Sequence, residues 1–318
     1  MDQLRAMRTF IRIVDEGGFA AAARKLDQAP AVVTRVLAEL EAHLGARLIQ
    51  RTTRRMTLTD VGEAYLERSR QIVADVEEAE SLVNRSVTEL RGHLKVLVPP
   101  AFAVHQLAKH LGAFRARHPH VTLELSVPGP VEEVDPNFDV SILMGPEPPR
   151  DGDFIARPVA LSEIILCAAP EYMRGRPLPQ HPRDLGQLDL LLPTVANVRR
   201  LFTFTHDGRD GHPPEQVQLH PHRPALSTIH LDTTYAAVLS GLGVAGLPSF
   251  VVADALLEGA LQRLLPAWRI FTLQIHAGLP TRKHLPARTR AFVDFLVDSF
   301  GGGARDIWLE AAGCPTGD

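Results

Sequence analysis

Cysteine is nearly absent: Cys167 and Cys314 are the only two in 318 residues. A disulfide framework is therefore not expected, and a reducing compartment is. Long apolar runs are missing as well. No stretch approaches the roughly 20 residues of a membrane-spanning helix, and the opening MDQLRAMRTFIRIVDEGG carries charges through its apolar pattern, unlike a secretory signal. The cytosol is the expected setting, with no membrane partner. Catalytic signatures are equally scarce. There is no G-x-S-x-G elbow, and no carboxylate pair stands out from the general scatter. The fourteen histidines show no helical His-x-x-x-His and no Cys-rich spacing. HPH at 118–120 and HPHR at 220–223 contain proline, which keeps them extended and exposed. No metal, no cofactor and no enzymatic activity are expected.

What is present is an ordinary globular composition, 45% hydrophobic and 22% charged, in a chain long enough for two or three domains. Charge is unevenly placed. Residues 1–60 hold ten Lys or Arg against seven Asp or Glu, whereas the remainder holds 24 against 30. A basic head on an acidic body suits a polyanionic partner.

The head reads as three helices and a hairpin. Leu4, Met7, Phe10, Ile11 and Val14 have helical spacing over residues 2–16, and Gly17-Gly18 stops that helix. Phe19 to Leu26 is short and alanine-rich. Pro30 opens a third helix, whose Val33, Leu37, Leu40 and Leu44 make one buried stripe before Gly45 ends it. Opposite the stripe lie Ala31, Thr34, Arg35, Ala38 and Ala42. A face this slim enters a DNA major groove without bulk to hold it off, and an arginine on it can read guanine or clamp phosphate. ARLIQ and RMTLT then flank RTTRR as two strand-like pieces. A two-stranded wing would place Arg51, Arg54 and Arg55 at its tip, beside the backbone or minor groove. Beyond it, Tyr65, Ser69, Ile72, Val76, Ala79, Val83, Ser86 and Leu90 alternate by four and three. That heptad pattern argues for a long helix pairing with a second copy, the alternative being a helix packed on its own domain.

From residue 92 the pattern changes to strands alternating with helices. HLKVLVP, VTLELSV, FDVSILM, DFIARPVA, EIILCAA and FTLQIHAGL read as strands, residues 105–118 as a helix, and LPARTRAFVDFLVDSF as a closing amphipathic helix. Open, largely parallel sheets covered by helices are expected, with ligands beyond the carboxyl ends of the strands. GLGVAG at 241–246 fits G-x-G-x-x-G by letter, but a helix-like segment precedes it and a strand follows. That order is the reverse of a dinucleotide site.

The sequence resembles the LysR-type transcriptional regulators through FIRIVDEGGFAAAARKL and APAVVTRVLAELEAHLGARLIQRTTRRMTLTDVGEAYLERSRQI. Further matches are GHLKVLVPPAF, FDVSILMG, GLGVAGLPSFVV and HLPARTRAFVDFL. The resemblance implies an α+β multidomain chain. Its parts would be a winged helix-turn-helix over 1–60, a dimerising linker helix over 61–91 and an effector domain over 92–300 like a periplasmic binding protein. Within the last, one α/β subdomain would comprise about 92–160 and 269–300, the other about 161–268, with 301–318 as a tail. Gln28, Pro30, Thr34 and Arg35 would lie at bases or phosphates, and Arg51, Thr52, Thr53, Arg54 and Arg55 would form the wing. Effector contacts would come from Pro100, Ala101 and Phe102, from Val127 and Pro128, from Thr203, from His230 and Thr233, and from Pro248. Members often carry Ser or Thr in the first of these loops and Arg at the place of Leu143; both departures weaken the case for a carboxylate and tilt towards a more apolar ligand or an unusual one. The expected function is a ligand-responsive regulator that binds promoter DNA as a homodimer or homotetramer. An architectural DNA binder without ligand, and an enzyme using GLGVAG, are the alternatives.

Overall fold

The computed structural model describes residues 2–51, 56–83, 90–149, 154–194, 202–208, 213–219, 224–280 and 285–314. The chain forms two compact units. The first comprises residues 1–94 with 118–123 and 286–288, and the second the rest.

In the first unit, α1 (Gln3–Asp15) starts where the Asp2 carboxylate accepts from Arg5 N at 3.0 Å. Its buried line is Ala6, Met7, Phe10 and Ile13, rotated from the expected face so that Leu4, Ile11 and Val14 are only half-buried. Helix α2 (Phe19–Lys25) buries Ala22 and Ala23, which lets α3 (Pro30–Leu44) approach closely. Pro30 is the first residue of α3, Val33, Leu37 and Leu40 are fully buried, and Gly45 ends the helix with φ 64°. Strands β1 (Ile49–Arg51) and β2 (Met56–Leu58) pair antiparallel, with Ile49 opposite Leu58. Residues 52–55 lie outside the described residues.

The wing root is fastened by two devices. Glu41 on α3 is 8% exposed, and its Oε1 accepts from Leu48 N at 2.8 Å and Ile49 N at 3.2 Å. Helix α4 (Asp60–Val83) then starts beneath the hairpin. Thr59 Oγ1 donates to Arg47 O at 2.7 Å and accepts from Gly62 N at 2.9 Å. A Cβ at position 62 would stand 2.0 Å from the Leu48 carbonyl oxygen, so only glycine permits this approach. Part of the α4 heptad stripe serves the head itself: Tyr65 packs on Phe10 with ring centroids 5.9 Å apart, and Ser69 is fully buried. Ile72, next on the stripe, is 43% exposed. The outer positions of that pattern, such as Ser86, fall outside the described residues.

The second unit is built on a mixed sheet. Its strands are β3 (Arg91–Leu97) and β4 (His120–Ser126), of which residues 91–94 and 120–123 count with the first unit, then β5 (Val140–Gly145), β6 (Phe154–Ala168), β7 (Leu190–Leu192), β10 (Pro224–Ser227), β11 (Val244–Pro248), β12 (Gln262–Leu264) and β14 (Thr272–Pro280). The order is β10-β7-β11-β6-β14-β5-β3-β4, with β12 also on β6. A separate three-stranded sheet runs β13-β8-β9, from β8 (Phe202–His206), β9 (Glu215–Leu219) and β13 (Trp268–Arg269). Strands β7, β10 and β11 are mutually parallel, as are β3 and β5, but β14 runs antiparallel to both β5 and β6. The expectation of largely parallel sheets is corrected accordingly, because the two longest strands are both antiparallel partners. Helical segments cover the sheet. They are α5 (Pro100–Phe102), continuing through a π-helical turn at Ala103–Leu107 into α6 (Ala108–Arg117), then α7 (Pro170–Met173), α8 (Leu231–Leu239), α9 (Ser249–Leu257) and α10 (Ala287–Phe300).

β6 is one strand where two were expected. From Phe154 to Glu163 it pairs with β14, and from Ile164 onward with β11 and β12. Leu161 and Ser162 separate the two expected strands, but the fold carries the strand through them and satisfies Ser162 and Glu163 sideways. Ser162 Oγ lies 2.8 Å from Ser249 Oγ, and Glu163 pairs with Arg263 at 3.6 Å. Asp306 completes the joint. Buried at 5% exposure, its Oδ2 accepts from Glu163 N at 2.7 Å and Ser249 Oγ at 2.6 Å. Its Oδ1 accepts from Trp308 N and Leu309 N, both at 3.1 Å, and so caps α11 (Ile307–Ala311). Residues 301–314 are therefore no loose tail. Trp308 stacks among Phe250 and Phe300, and Leu309 is fully buried.

Both cysteines are free. Burial pushes the Cys167 thiol up to about 12, which leaves it inert.

Substitutions at three positions, two in these joints and one outside them, are tested by equilibrium denaturation. Gly62→Ala is expected to cost roughly 2–3 kcal/mol through the clash with Leu48. Gly112→Ala, on exposed α6 with open space at its Cβ, is expected to stabilise by roughly 0.5–1 kcal/mol. Asp306→Ala leaves buried donors without an acceptor and is expected to cost about 3 kcal/mol, whereas Asp306→Asn keeps one acceptor and costs about 1 kcal/mol.

Candidate DNA-reading face and ligand cavity

On the first unit, the outward face of α3 presents Ala31, Arg35, Ala38 and Ala42, all exposed, with Thr34 half-buried beside them. The Arg35 side chain is 74% exposed and pairs with Glu39 at 3.6 Å, one turn along the same helix. Such an exposed pair contributes only about 0.3–0.5 kcal/mol, so the guanidinium is easily surrendered to a phosphate or a base. Pro30 is exposed at the helix start, and Gln28, just before it, is half-buried with its amide oxygen enclosed and without a hydrogen-bond partner. Arg51 belongs to β1 through its backbone; Thr52, Thr53, Arg54 and Arg55 lie outside the described residues. Glu41 carried no signal in sequence, since a carboxylate beside Leu40 reads as solvated. It is nonetheless the group that ties the wing to α3.

On the second unit, β7, β10 and β11 release the chain at one rim, and a cavity of about 210 Å³ opens there. Leu191 and Pro193 line it from β7 and its exit, Thr228 and Ile229 from beyond β10, and Gly246, Leu247 and Pro248 from β11. Ile164 on β6, with Phe271 and Leu273 leading into β14, closes it from the strand crossing, where Ile164 N donates to Phe271 O at 2.9 Å. Phe202, Leu231 and Thr234 complete the wall. Ligands of open α/β sheets sit beyond the carboxyl ends of the strands in this way.

The expected effector contacts are distributed unevenly around it. Pro248 lines the cavity. Thr203 is half-buried on β8 next to lining Phe202, and His230 stands between lining Ile229 and Leu231. His230 and Thr233 are engaged with each other: the imidazole Nδ1 accepts from Thr233 N at 3.3 Å and caps α8. Ala101 and Phe102 are buried in the core instead, Phe102 against Phe250 at 5.6 Å and Phe300 at 5.3 Å, and Pro100 is half-buried at the start of α5. Val127 and Pro128 are exposed after β4. Ile164, Leu191 and Phe271 were not foreseen, because their role depends on where β6 changes partners. GLGVAG has the order read from sequence: α8 precedes it and β11 follows. Gly243 passes the Asp189 carbonyl so closely that a Cβ would meet it at 2.2 Å. Among the described residues, no group of three His, Cys, Asp or Glu side chains is placed to hold a metal ion, and no helix is long and apolar enough to cross a membrane.

Comparison with known proteins places these features in a family. The model of the bacterial regulatory helix-turn-helix protein, lysR family, matches residues 4–63, and that of the LysR substrate binding domain matches residues 88–301. The chain is 31% identical to the uncharacterized HTH-type transcriptional regulator YhjC of Escherichia coli, over 93% of this chain and 97% of that protein. It is 30% identical to the HTH-type transcriptional regulator PtxR of Pseudomonas aeruginosa, over 94% and 93%. Among solved structures, CrgA, a LysR-type transcriptional regulator from Neisseria meningitidis, aligns over 92% of this chain and 97% of its own, with TM-score 0.55 and 27% identity. From the slim third helix to the strand-crossed ligand domain, the chain belongs to the LysR family of bacterial transcriptional regulators.

Proposed function

We propose that this LysR-family regulator acts from the cytoplasm, without enzymatic activity, by setting α3 into the major groove of a promoter site. Arg35 and Thr34 are the reading side chains, Gln28 and Pro30 the approach to the helix, and the arginines of residues 51–55 the grip on the adjacent backbone. The observation that carries this reading is the exposed alanine face of α3 with the Arg35 guanidinium projecting from its middle, held only by the exposed Glu39. The excess of cations in residues 1–60, set against an acidic remainder, supports it. Exposed Ile72 on α4 supports a second copy along the linker helix, since two heads on one near-palindromic site multiply affinity. An effector held in the second unit would shift the population of subunit arrangements by binding one better than the other.

The test is competition binding of the full chain to promoter fragments from its own genomic neighbourhood. Specific binding is expected to exceed binding to random competitor and to weaken with salt, with a slope of about −0.9 per phosphate contact. Arg35→Ala is expected to lower specific affinity at least roughly tenfold. Equal affinity for all fragments, or an Arg35→Ala protein that binds like the parent, would overturn the reading.

A further inference from the structure

We propose that the cavity at the rim of β7, β10 and β11 takes a small uncharged molecule, mainly apolar and about the size of a substituted benzene ring, and discriminates against carboxylates. The inference rests on the effector role proposed for this unit and specifies its ligand.

Volume sets the size. A cavity of about 150 Å³ holds benzene, so about 210 Å³ suits roughly ten non-hydrogen atoms. The lining sets the polarity. Among the described residues it offers aliphatic, proline and phenylalanine side chains with two hydroxyls, and no Lys, Arg or His. A carboxylate entering it would lose its water without gaining a cation.

Helix N-termini are the usual remedy for a buried anion, and the two that open at the cavity wall, α8 at Leu231 and α9 after Pro248, are already committed. The helix start at Pro100 lies outside the lining, and neither Pro99 nor Pro100 has an N–H to donate. The one at Leu231 carries its own acid, Asp232, in the first turn and is capped by the His230 imidazole. Asp232 is also bound by His105 Nε2 at 2.8 Å. The one at Ser249 has a resident carboxylate: Asp306 holds the Ser249 hydroxyl, and Phe250 N is directed to Ser162 Oγ at 3.4 Å. Neither helix start at the cavity wall remains for a ligand's charge.

The two hydroxyls differ. Thr234 Oγ1 donates to His230 O at 3.3 Å. Thr228 Oγ1 instead accepts from His230 N at 3.0 Å, which leaves its own proton for the cavity. A ligand with one acceptor, such as an ester or ketone oxygen, satisfies it.

Calorimetric titration of the full chain at pH 7 with matched pairs tests this: methyl benzoate against benzoate, p-cresol against 4-hydroxybenzoate, and toluene as a probe without an acceptor. At least one neutral probe is expected to bind, tenfold or more tighter than its carboxylate counterpart. Ile229→Trp, at a lining position 53% exposed, is expected to fill the mouth and reduce that binding tenfold or more. Thr228→Val is expected to weaken methyl benzoate severalfold and leave toluene unchanged. Carboxylates binding as tightly as their neutral partners, no probe binding at millimolar concentration, or neutral binding indifferent to Ile229→Trp would each overturn the proposal. Promoter preference is measured without any probe, so its failure would sink the DNA reading alone.

Discussion

The Leu48 carbonyl leaves no room for a side chain at position 62, and the organisation of the first unit follows from that contact. Helix α4 can lie against the wing root only because Gly62 lacks a Cβ. The same few residues carry the other restraints: Glu41 accepts from Leu48 N and Ile49 N, and Thr59 bridges Arg47 O to Gly62 N. Helix α3, the β1–β2 hairpin and α4 thus meet at one point, each held by backbone groups with little freedom to shift. A hairpin root fastened through main-chain hydrogen bonds holds β1 and β2 in register with α3 whatever the side-chain rotamers do. That is the preorganisation a DNA reader needs, since restraint applied before binding is not lost as entropy during it.

The second unit has its own joint, at the point where β6 leaves β14 for β11 and β12. An isolated carboxylate so deeply placed would be strongly unfavourable, but Asp306 has four donors and becomes a node instead. Through it the chain's last helix, the start of α9 and the crossing strand are fixed together. The aromatic layer of Phe102, Phe250, Phe300 and Trp308 packs over this node. This explains why the loop at Pro100 to Phe102 turns inward: Phe102 is worth more as a core ring than as a ligand contact.

Legibility in the sequence followed periodicity. Helix α3 was readable because Val33, Leu37 and Leu40 repeat at helical spacing and Pro30 and Gly45 punctuate them. The pieces of the crossing strand were readable, but not their continuity, because the polar pair Ser162-Glu163 interrupts the apolar run until Ser249, Asp306 and Arg263 are known to lie beside it. Helix α11 spans five residues, too few for a period to show, although Asp306 before an apolar segment is a start signal in its own right. Strands β8, β9 and β13 escaped for the same reason of length. The face of α3 was visible as a pattern. The cavity was not, since Ile164, Leu191, Ile229 and Phe271 come from four distant segments that only the sheet order brings together.

The position of the cavity bears on how a ligand could act. Its walls come from β7, β10, β11 and the crossing, and none from the loop at Pro100 to Phe102. A molecule bound there would therefore press first on Ile164 and Phe271, which share a backbone hydrogen bond at the place where β6 changes partners. A ligand shifts an equilibrium only by its differential affinity for the states, and an apolar ligand gains such a difference from packing. If the crossing strands move apart or together by even a fraction of an ångström, the close fit around a ring is won or lost. Charge would be a poorer lever in this site, because its described lining holds no cation and the starts of α8 and α9 beside it are already engaged by His230, Asp232 and Asp306.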